Sequence, residues 1–418
     1  MATERPIRTI LAAALALALL AGCSSDGDDA SSTTTAASDT DASGDTGGGA
    51  ASGCVDTADG AAGEAADIVS VVEGAIDDLG LGGALVSVRR GGDEVVTAAR
   101  GQTIPGVDAT ADMRFWNGAA VFSYLGTAMV QLDAEGVLDL DEPIATWLPD
   151  APAADQITPR MLVSTTSGYL DYVPMQDWID DVYADPFTPF DLERLEGYVF
   201  DEPLLYEPGT NVSYSHLNFQ LAGAIVEEAT GEALADVLAA RILEPLGLDD
   251  TETVDTAQIP GPILRTFSPE RGTYEETSSW SPAWGVPAGA TLATTVCDLA
   301  VGAAGIGSGK LLDDEGYAFL LDPGTADLGE PTDECPQCIP QTPDRRFGFG
   351  VIIAGDWIIQ TPQFTGIAGV QAYLPDEDLA IGVANTYGPD ADIDSNPSTQ
   401  IFTELAALLA PDAALPEL

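Results

Sequence analysis

Ala119-Ala120-Val121-Phe122-Ser123-Tyr124-Leu125-Gly126-Thr127-Ala128-Met129-Val130-Gln131-Leu132 is the clearest helical stretch of the chain. Val121, Phe122, Leu125, Met129 and Leu132 recur at three- and four-residue spacing, which aligns them on one face, and Gly136 supplies a stop. Outward from this segment, residues 66–79 carry another helical pattern, and strand-like runs at 85–89 and 95–98 flank Gly91-Gly92, the pattern of a hairpin. Residues 217–229 form a further helix closed by Gly231. Residues 350–354, 357–360, 369–374 and 379–385 are read as successive antiparallel strands, and 401–409 as a terminal helix. Helix, hairpin, a long and mostly helical insert, more strands and a last helix predict an α/β fold of the α+β type, an antiparallel sheet flanked by helices.

The N-terminus has a different character. Arg5 and Arg8 form a short basic region, and an unbroken apolar stretch runs from Ile10 to Ala21. About a dozen apolar residues are too few for a membrane-spanning helix, which needs roughly 20. The stretch ends in Leu20-Ala21-Gly22-Cys23, which resembles the lipobox of bacterial lipoproteins. That resemblance implies a signal peptide over residues 1–22, lipid attachment at Cys23 and a membrane-anchored protein outside the cytoplasm; the alternative is an ordinary cleaved signal. A diacylglycerol contributes two acyl chains, enough for stable anchoring. Residues 23–62 are almost entirely Ser, Thr, Ala, Asp and Gly, too poor in apolar surface to offset chain entropy, and are expected to be a disordered tether. A flexible segment of that kind reaches roughly 30–35 Å on average. Function is expected in the single domain that follows, residues 63–412.

A formal charge of −54, from 68 acidic and 14 basic residues, disfavours nucleic acid and anionic headgroups as partners. Besides Cys23, four cysteines remain: Cys54, Cys297, Cys335 and Cys338. In an exported protein they suggest two disulfides, with three connectivities open. Cys335-Pro336-Gln337-Cys338 has redox spacing but lies in a Pro- and Asp-rich loop, which favours a structural bridge. No second such motif accompanies it and His216 is the sole imidazole, so neither a zinc site nor another cofactor is expected.

Six segments, in order along residues 64–410, point to one family. They are Gln131-Leu132-Asp133-Ala134-Glu135-Gly136-Val137-Leu138-Asp139-Leu140-Asp141-Glu142-Pro143; Ile157-Thr158-Pro159-Arg160-Met161-Leu162-Val163-Ser164-Thr165-Thr166-Ser167-Gly168; and Glu207-Pro208-Gly209-Thr210 with Tyr214-Ser215-His216. Glu244-Pro245-Leu246-Gly247-Leu248, the run from Gly289 to Asp298-Leu299-Ala300, and Phe347-Gly348-Phe349-Gly350 complete the set. Together they resemble the serine β-lactamase-related proteins: class C β-lactamases, D-alanyl-D-alanine carboxypeptidases and related esterases. The resemblance implies a DD-peptidase/β-lactamase-like fold with a mostly helical subdomain over about residues 119–290.

Family chemistry needs a serine on the first turn of a central helix and a lysine three residues later on the same face. It also uses the tyrosine of a Y-x-N motif and a strand carrying K-T-G or H-T-G. Overlaying the helix through Phe115 and Gly118 puts Ala119 at the serine position and Phe122 at the lysine position. Tyr214 is kept, His216 replaces the asparagine, Thr165 replaces the histidine of H-T-S-G, and Phe364-Thr365-Gly366 stands for K/H-T-G. No shift of frame restores the pair: the chain has one lysine, Lys310, and three residues before it stands Gly307. Gly305-Ile306-Gly307-Ser308-Gly309-Lys310 lacks the residues of a phosphate loop, with Ala304 and Leu311 at its ends, and is a glycine-rich turn.

Alanine has no lone pair with which to form an acyl-enzyme, and phenylalanine cannot accept a proton. The catalytic positions Ala119, Phe122, Tyr214, His216, Phe364, Thr365 and Gly366 are therefore a degenerate set. The leading expectation is a lipid-anchored pseudoenzyme that binds a small molecule, a peptidoglycan fragment or an envelope partner, with Phe364 filling space beside Phe122 as an apolar plug. Two alternatives stand beside it. One is an active serine hydrolase using His216, Tyr214 and a substitute nucleophile from Ser123, Ser215 or Ser167. The other is a surface scaffold whose cleft is simply filled.

Overall fold

The structure, a computed structural model, describes residues 53–418; the expected signal peptide, Cys23 and residues 24–52 of the expected tether lie outside it. Helix α1 (Glu64–Asp78) leads into β1 (Leu81–Arg90) and β2 (Asp93–Ile104), joined through Gly91 and Gly92 at φ 60° and 81°. Positive φ at both loop residues is what a two-residue hairpin of this hand requires, and glycine adopts it without steric cost. A short β3 (Val107–Asp108) follows, and then α2 (Val121–Ala134), α3 (Gln176–Ala184), α4 (His216–Thr230) and α5 (Val296–Gly307). The chain returns to the sheet with β4 (Arg345–Phe347), β5 (Ile352–Ala354), β6 (Trp357–Gln360), β7 (Gln363–Phe364), β8 (Ile367–Leu374) and β9 (Leu379–Tyr387), and ends in α6 (Pro397–Leu409).

These strands make one nine-stranded sheet in the order β3-β2-β1-β9-β8-β6-β5-β4, with β7 also paired to β8, and every pairing is antiparallel. The central strands β8 and β9 are buried along their whole length. Helices cover the sheet on both faces: α1, over β1 and β2, and α6, over β8 and β9, pack on one, α5 on the other. Val88, Val96, Ile359, Val370, Val383, Ile401 and Phe402 belong to the core under α1 and α6. The predicted α+β architecture and its terminal helices are thus observed; β1, β2, β8 and β9 extend beyond the runs that announced them, β6 matches its run and β5 is shorter.

Between α2 and α5 lies the mostly helical part, whose own core is built on Leu125, Met129, Leu217, Leu221, Ile225 and Leu238. Helix α2 approaches the Phe349-Gly350 turn at backbone distance. A Cβ on Gly350 would come within 2.2 Å of the Phe122 carbonyl oxygen, and one on Gly126 within 2.4 Å of the Phe349 carbonyl oxygen. Glycine on both sides is what lets the helix sit against the sheet.

Residues 53–62, expected to belong to the tether, are instead held to the folded part. Cys54 is bonded to Cys297, the Asp56 carboxylate meets Arg100 at 3.2 Å, and the Thr57 amide donates to the Thr97 carbonyl, so residues 53–62 are fastened to β2 and α5. At the other end the tail reaches past residue 412, where Ala414 and Asp356 exchange two hydrogen bonds. Cys335 and Cys338 form the second disulfide, both buried in a loop whose Ile339 amide donates to the Val212 carbonyl. The bridge thus lies beside the segment leading to Tyr214.

Candidate functional site

Ala119 sits half-buried in a short 3-10 turn, Gly118–Ala120, that opens directly into α2. The turn packs against β7, the short strand carrying Phe364, and a Cβ on Gly118 (φ 57°) would meet the Pro362 side chain at 2.9 Å. Phe122, three residues on, is buried on the same helix face, and its ring stacks on Phe219 with centroids 3.7 Å apart and planes 8° from parallel. Phe219 lies one turn after His216 on α4, so helical geometry delivers it to the face that also carries the histidine.

A continuous chain of rings runs on from this pair. Phe219 is 5.9 Å from Tyr214, and Tyr214 meets His216 edge-on at 5.0 Å. His216 is 5.9 Å from Trp284, and Trp284 stacks on Phe364 at 4.7 Å and 9°. The structure therefore brings together Phe122, Tyr214, His216 and Phe364, with Ala119 on the neighbouring turn. One detail differs from the sequence expectation. Phe364 does not plug the space beside Phe122: it stacks on Trp284 in a different core cluster, and Phe219 is the ring that covers Phe122.

Thr365 and Gly366 complete that edge. The Thr365 carbonyl accepts a hydrogen bond from the Thr277 hydroxyl at 3.1 Å, and Gly366, at φ 80°, leaves no room for a side chain because a Cβ would lie 2.5 Å from Thr277 Oγ1. Thr165 also has φ 60°, an unusual conformation for a β-branched residue, and its hydroxyl is buried without a partner.

His216 is oriented by a residue the sequence reading missed. Its Nδ1 lies 3.0 and 3.1 Å from the two carboxylate oxygens of Asp171, and its amide donates to the same carboxylate at 3.2 Å. A carboxylate can only accept, so Nδ1 carries the proton and Nε2 is the acceptor in the neutral ring. Burial, reinforced by the charge of Asp171, pushes the Tyr214 phenol well above its usual range. With a hydrocarbon at Phe122 no nearby ammonium offsets that effect, and Tyr214 stays protonated.

The three substitute serines are each occupied. Ser123 Oγ donates to the Ala120 carbonyl at 2.7 Å and accepts from Gln371 at 3.2 Å. Ser215 Oγ donates to the Leu170 carbonyl at 2.8 Å, and Ser167 Oγ donates to Asn218 Oδ1 at 2.6 Å. All three are fully buried, and among the described residues no hydroxyl is hydrogen-bonded to His216. Lys310 is exposed in the turn that ends α5. Among the described residues no group of three or more His, Cys, Asp or Glu side chains is placed to hold a metal ion.

Beside Phe364 opens a cavity of about 250 Å³, walled by Trp178, Tyr183, Trp284, Phe364 and Tyr387, with Glu270 in its lining. Helix α3 contributes Trp178, Ile179, Val182 and Tyr183, spaced so that one amphipathic face points inward. Of these, Phe364 and Thr365 alone were singled out by sequence. Asp171, Phe219, Trp284 and Glu270 carried no local signal, apart from the position of Phe219 one turn beyond His216.

Comparison with known proteins identifies the family and the fold. The family model described as Beta-lactamase matches residues 68–400. Among curated relatives, the esterase EstB of Burkholderia gladioli is 30% identical over 46% of this chain and 52% of its own, and penicillin-binding protein 4 of Amycolatopsis lactamdurans is 30% identical over 43% and 45%. The chain thus spans about half the length of the curated relatives it matches. Among solved structures, a D-stereospecific amidohydrolase from Streptomyces sp. superposes with a TM-score of 0.69 at 21% identity, covering 83% of this chain and 99% of that one. A penicillin-binding protein from Bacillus halodurans gives 0.65 at 19%, covering 81% and 99%. At such identities the structural likeness speaks to the fold.

Proposed function

The chain belongs to the Beta-lactamase family, and from that premise we propose that it is a non-catalytic member, held outside the cytoplasm by a lipid on Cys23, whose altered cleft binds a ligand. The observation that carries this reading is the stacking of Phe122 on Phe219. At the place where the family resemblance puts a proton-accepting amine, the chain has two packed hydrocarbon rings. Acyl transfer needs a nucleophile and a group to take its proton. Ala119 provides a methyl group, Phe122 provides a ring, and the nearby serines are buried with their protons bound to protein oxygens. Binding and oxyanion donors alone leave about 10³–10⁴-fold over water in a protease stripped of its triad, far below an efficient enzyme.

One observation favours a second reading, a hydrolase centred on His216. Asp171 holds the ring through Nδ1 and leaves Nε2 as an acceptor, the arrangement of a general base. The two readings separate cleanly. Purified protein should take up no fluorophosphonate or fluorescent penicillin; stoichiometric covalent labelling of any serine overturns the non-catalytic reading. Hydrolysis of a chromogenic ester that disappears in His216→Ala would install the second. Tight, saturable binding of a peptidoglycan fragment or other small molecule in the cleft argues against a merely filled scaffold. The anchor is tested separately: Cys23→Ser should move the protein from the detergent phase to the aqueous phase.

A further inference from the structure

The cavity beside Phe364 has one charged group in its lining, the Glu270 carboxylate, among five aromatic rings. Tyr183 donates to Glu270 Oε2 at 3.3 Å, but no cation among the described residues pairs with this carboxylate. The adjacent Arg271 is committed elsewhere: it grips both Glu275 oxygens at 2.8 Å, donates to the Tyr183 carbonyl at 3.0 Å and lies over the Trp280 ring. Burial holds the Glu270 carboxyl above the ordinary glutamate range, while hydrogen bonds from Ser268, Tyr183 and Thr365 pull it down. An acid in an apolar wall is stabilised in its charged form by an incoming cation. Aromatic faces attract the same cation through their quadrupoles.

We propose that this cavity is a binding site for a small organic ammonium ion, with Glu270 as its counter-ion and the rings of Trp178, Tyr183, Trp284, Phe364 and Tyr387 as its walls. The inference rests on reading the cleft as a ligand site and names the ligand class. At about 250 Å³ the cavity is smaller than the roughly 300–1,000 Å³ of drug-sized sites, so it suits a compact amine with one apolar group. The field of the protein works in the same direction. A net charge of −54 concentrates cations and repels carboxylates near the mouth.

Binding needs the carboxylate, so affinity rises with pH through the titration of Glu270. The groups facing it are Tyr183 from α3, Ser268 and Thr365 beside it, and Tyr387 from β9. None of them ionises in that range, with Tyr183 pushed up to about 12 by burial and by Glu270 itself.

The test uses the purified full chain and three probes of similar shape: 2-phenylethylammonium, neutral 2-phenylethanol and anionic 3-phenylpropanoate. Calorimetry and the fluorescence of Trp178 and Trp284 report occupancy. The ammonium ion should bind at least about tenfold more tightly than the alcohol, as a charge-assisted hydrogen bond and cation–π contact predict, and the propanoate should bind least. Glu270→Gln should bring the ammonium ion to the level of the alcohol while leaving the alcohol unchanged, which also shows that the cavity is intact. Equal binding of amine and alcohol by the parent protein, a preference that survives Glu270→Gln, or no binding of any probe at millimolar concentration overturns the proposal. Covalent penicillin labelling decides the non-catalytic reading independently. A chain that is labelled yet prefers the ammonium ion loses that reading alone, and an unlabelled chain without the preference loses only the ammonium site.

Discussion

Phe122→Ala is the substitution on which the account of the cleft depends. The ring is 1% exposed and lies 3.7 Å from the Phe219 ring, nearly parallel to it. Removing a buried phenylalanine takes away its transfer free energy and leaves a cavity, at a cost of about 3–5 kcal/mol. Because the backbone of α2 is locked against Phe349-Gly350 by contacts too close for any side chain, the hole has little means of collapsing, so the upper half of that range is expected. The pair should also show a coupling of about 0.5–1.5 kcal/mol in a cycle with Phe219→Ala, since stacked rings contribute beyond their buried area. The assay is equilibrium urea unfolding with both disulfides oxidised, followed by tryptophan fluorescence and circular dichroism. A loss under about 1 kcal/mol, with no measurable coupling, would mean that the ring faces an open cleft. Packed hydrocarbon would then not fill the lysine position.

Asp298, buried at the start of α5, has its carboxyl raised to about 6 mainly by burial, against hydrogen bonding from Thr251 and the Asp250 amide. The folded state thus holds this proton more tightly than the unfolded chain, so stability should fall as pH rises from about 4 to about 6, by on the order of 3 kcal/mol at most; Asp298→Asn should flatten that slope in urea melts across the range. The Cys54–Cys297 bridge closes a sequence separation of 243 residues and the Cys335–Cys338 bridge one of 3. Cys297→Ser should therefore cost about 2–5 kcal/mol and Cys338→Ser about 1–2 kcal/mol by loop-closure entropy; a reversed order in denaturant midpoints would contradict it. The triple variant Ala119→Ser, Phe122→Lys, Phe364→His should show slow hydrolysis of a chromogenic ester above the parent, and a folded variant with none counts against the assigned positions.

Much of the fold was legible because its signals are local. The hairpin at Gly91-Gly92, the apolar periodicity of α2 and the runs that became β8 and β9 each depend on neighbours within a few residues. The family motifs likewise mark local geometry: Gly350 in Phe347-Gly348-Phe349-Gly350 is there because α2 passes at backbone distance. The site was half legible. Ala119, Phe122, Tyr214, His216 and Phe364 could be placed by register, but their partners could not. Asp171 stands 45 residues before His216, and Phe364 finds Trp284 across 80 residues of chain. Residues 53–62 show the reverse failure, since a stretch composed like a tether is ordered by one disulfide and a few hydrogen bonds to distant strands.

By itself the sequence determined that the Ser-x-x-Lys pair is absent. With a single lysine at Lys310 and Gly307 three residues before it, no register supplies the nucleophile and amine on one helix face, whatever the fold does. Tertiary structure alone decided what occupies that place. It stacked Phe219 on Phe122, set Asp171 behind His216 and left Glu270 as the charged member of an aromatic cavity. Covalent capability is a property of which atoms the chain carries, whereas burial, ring stacking and the charge state of an acid depend on neighbours that only folding brings within a few ångströms.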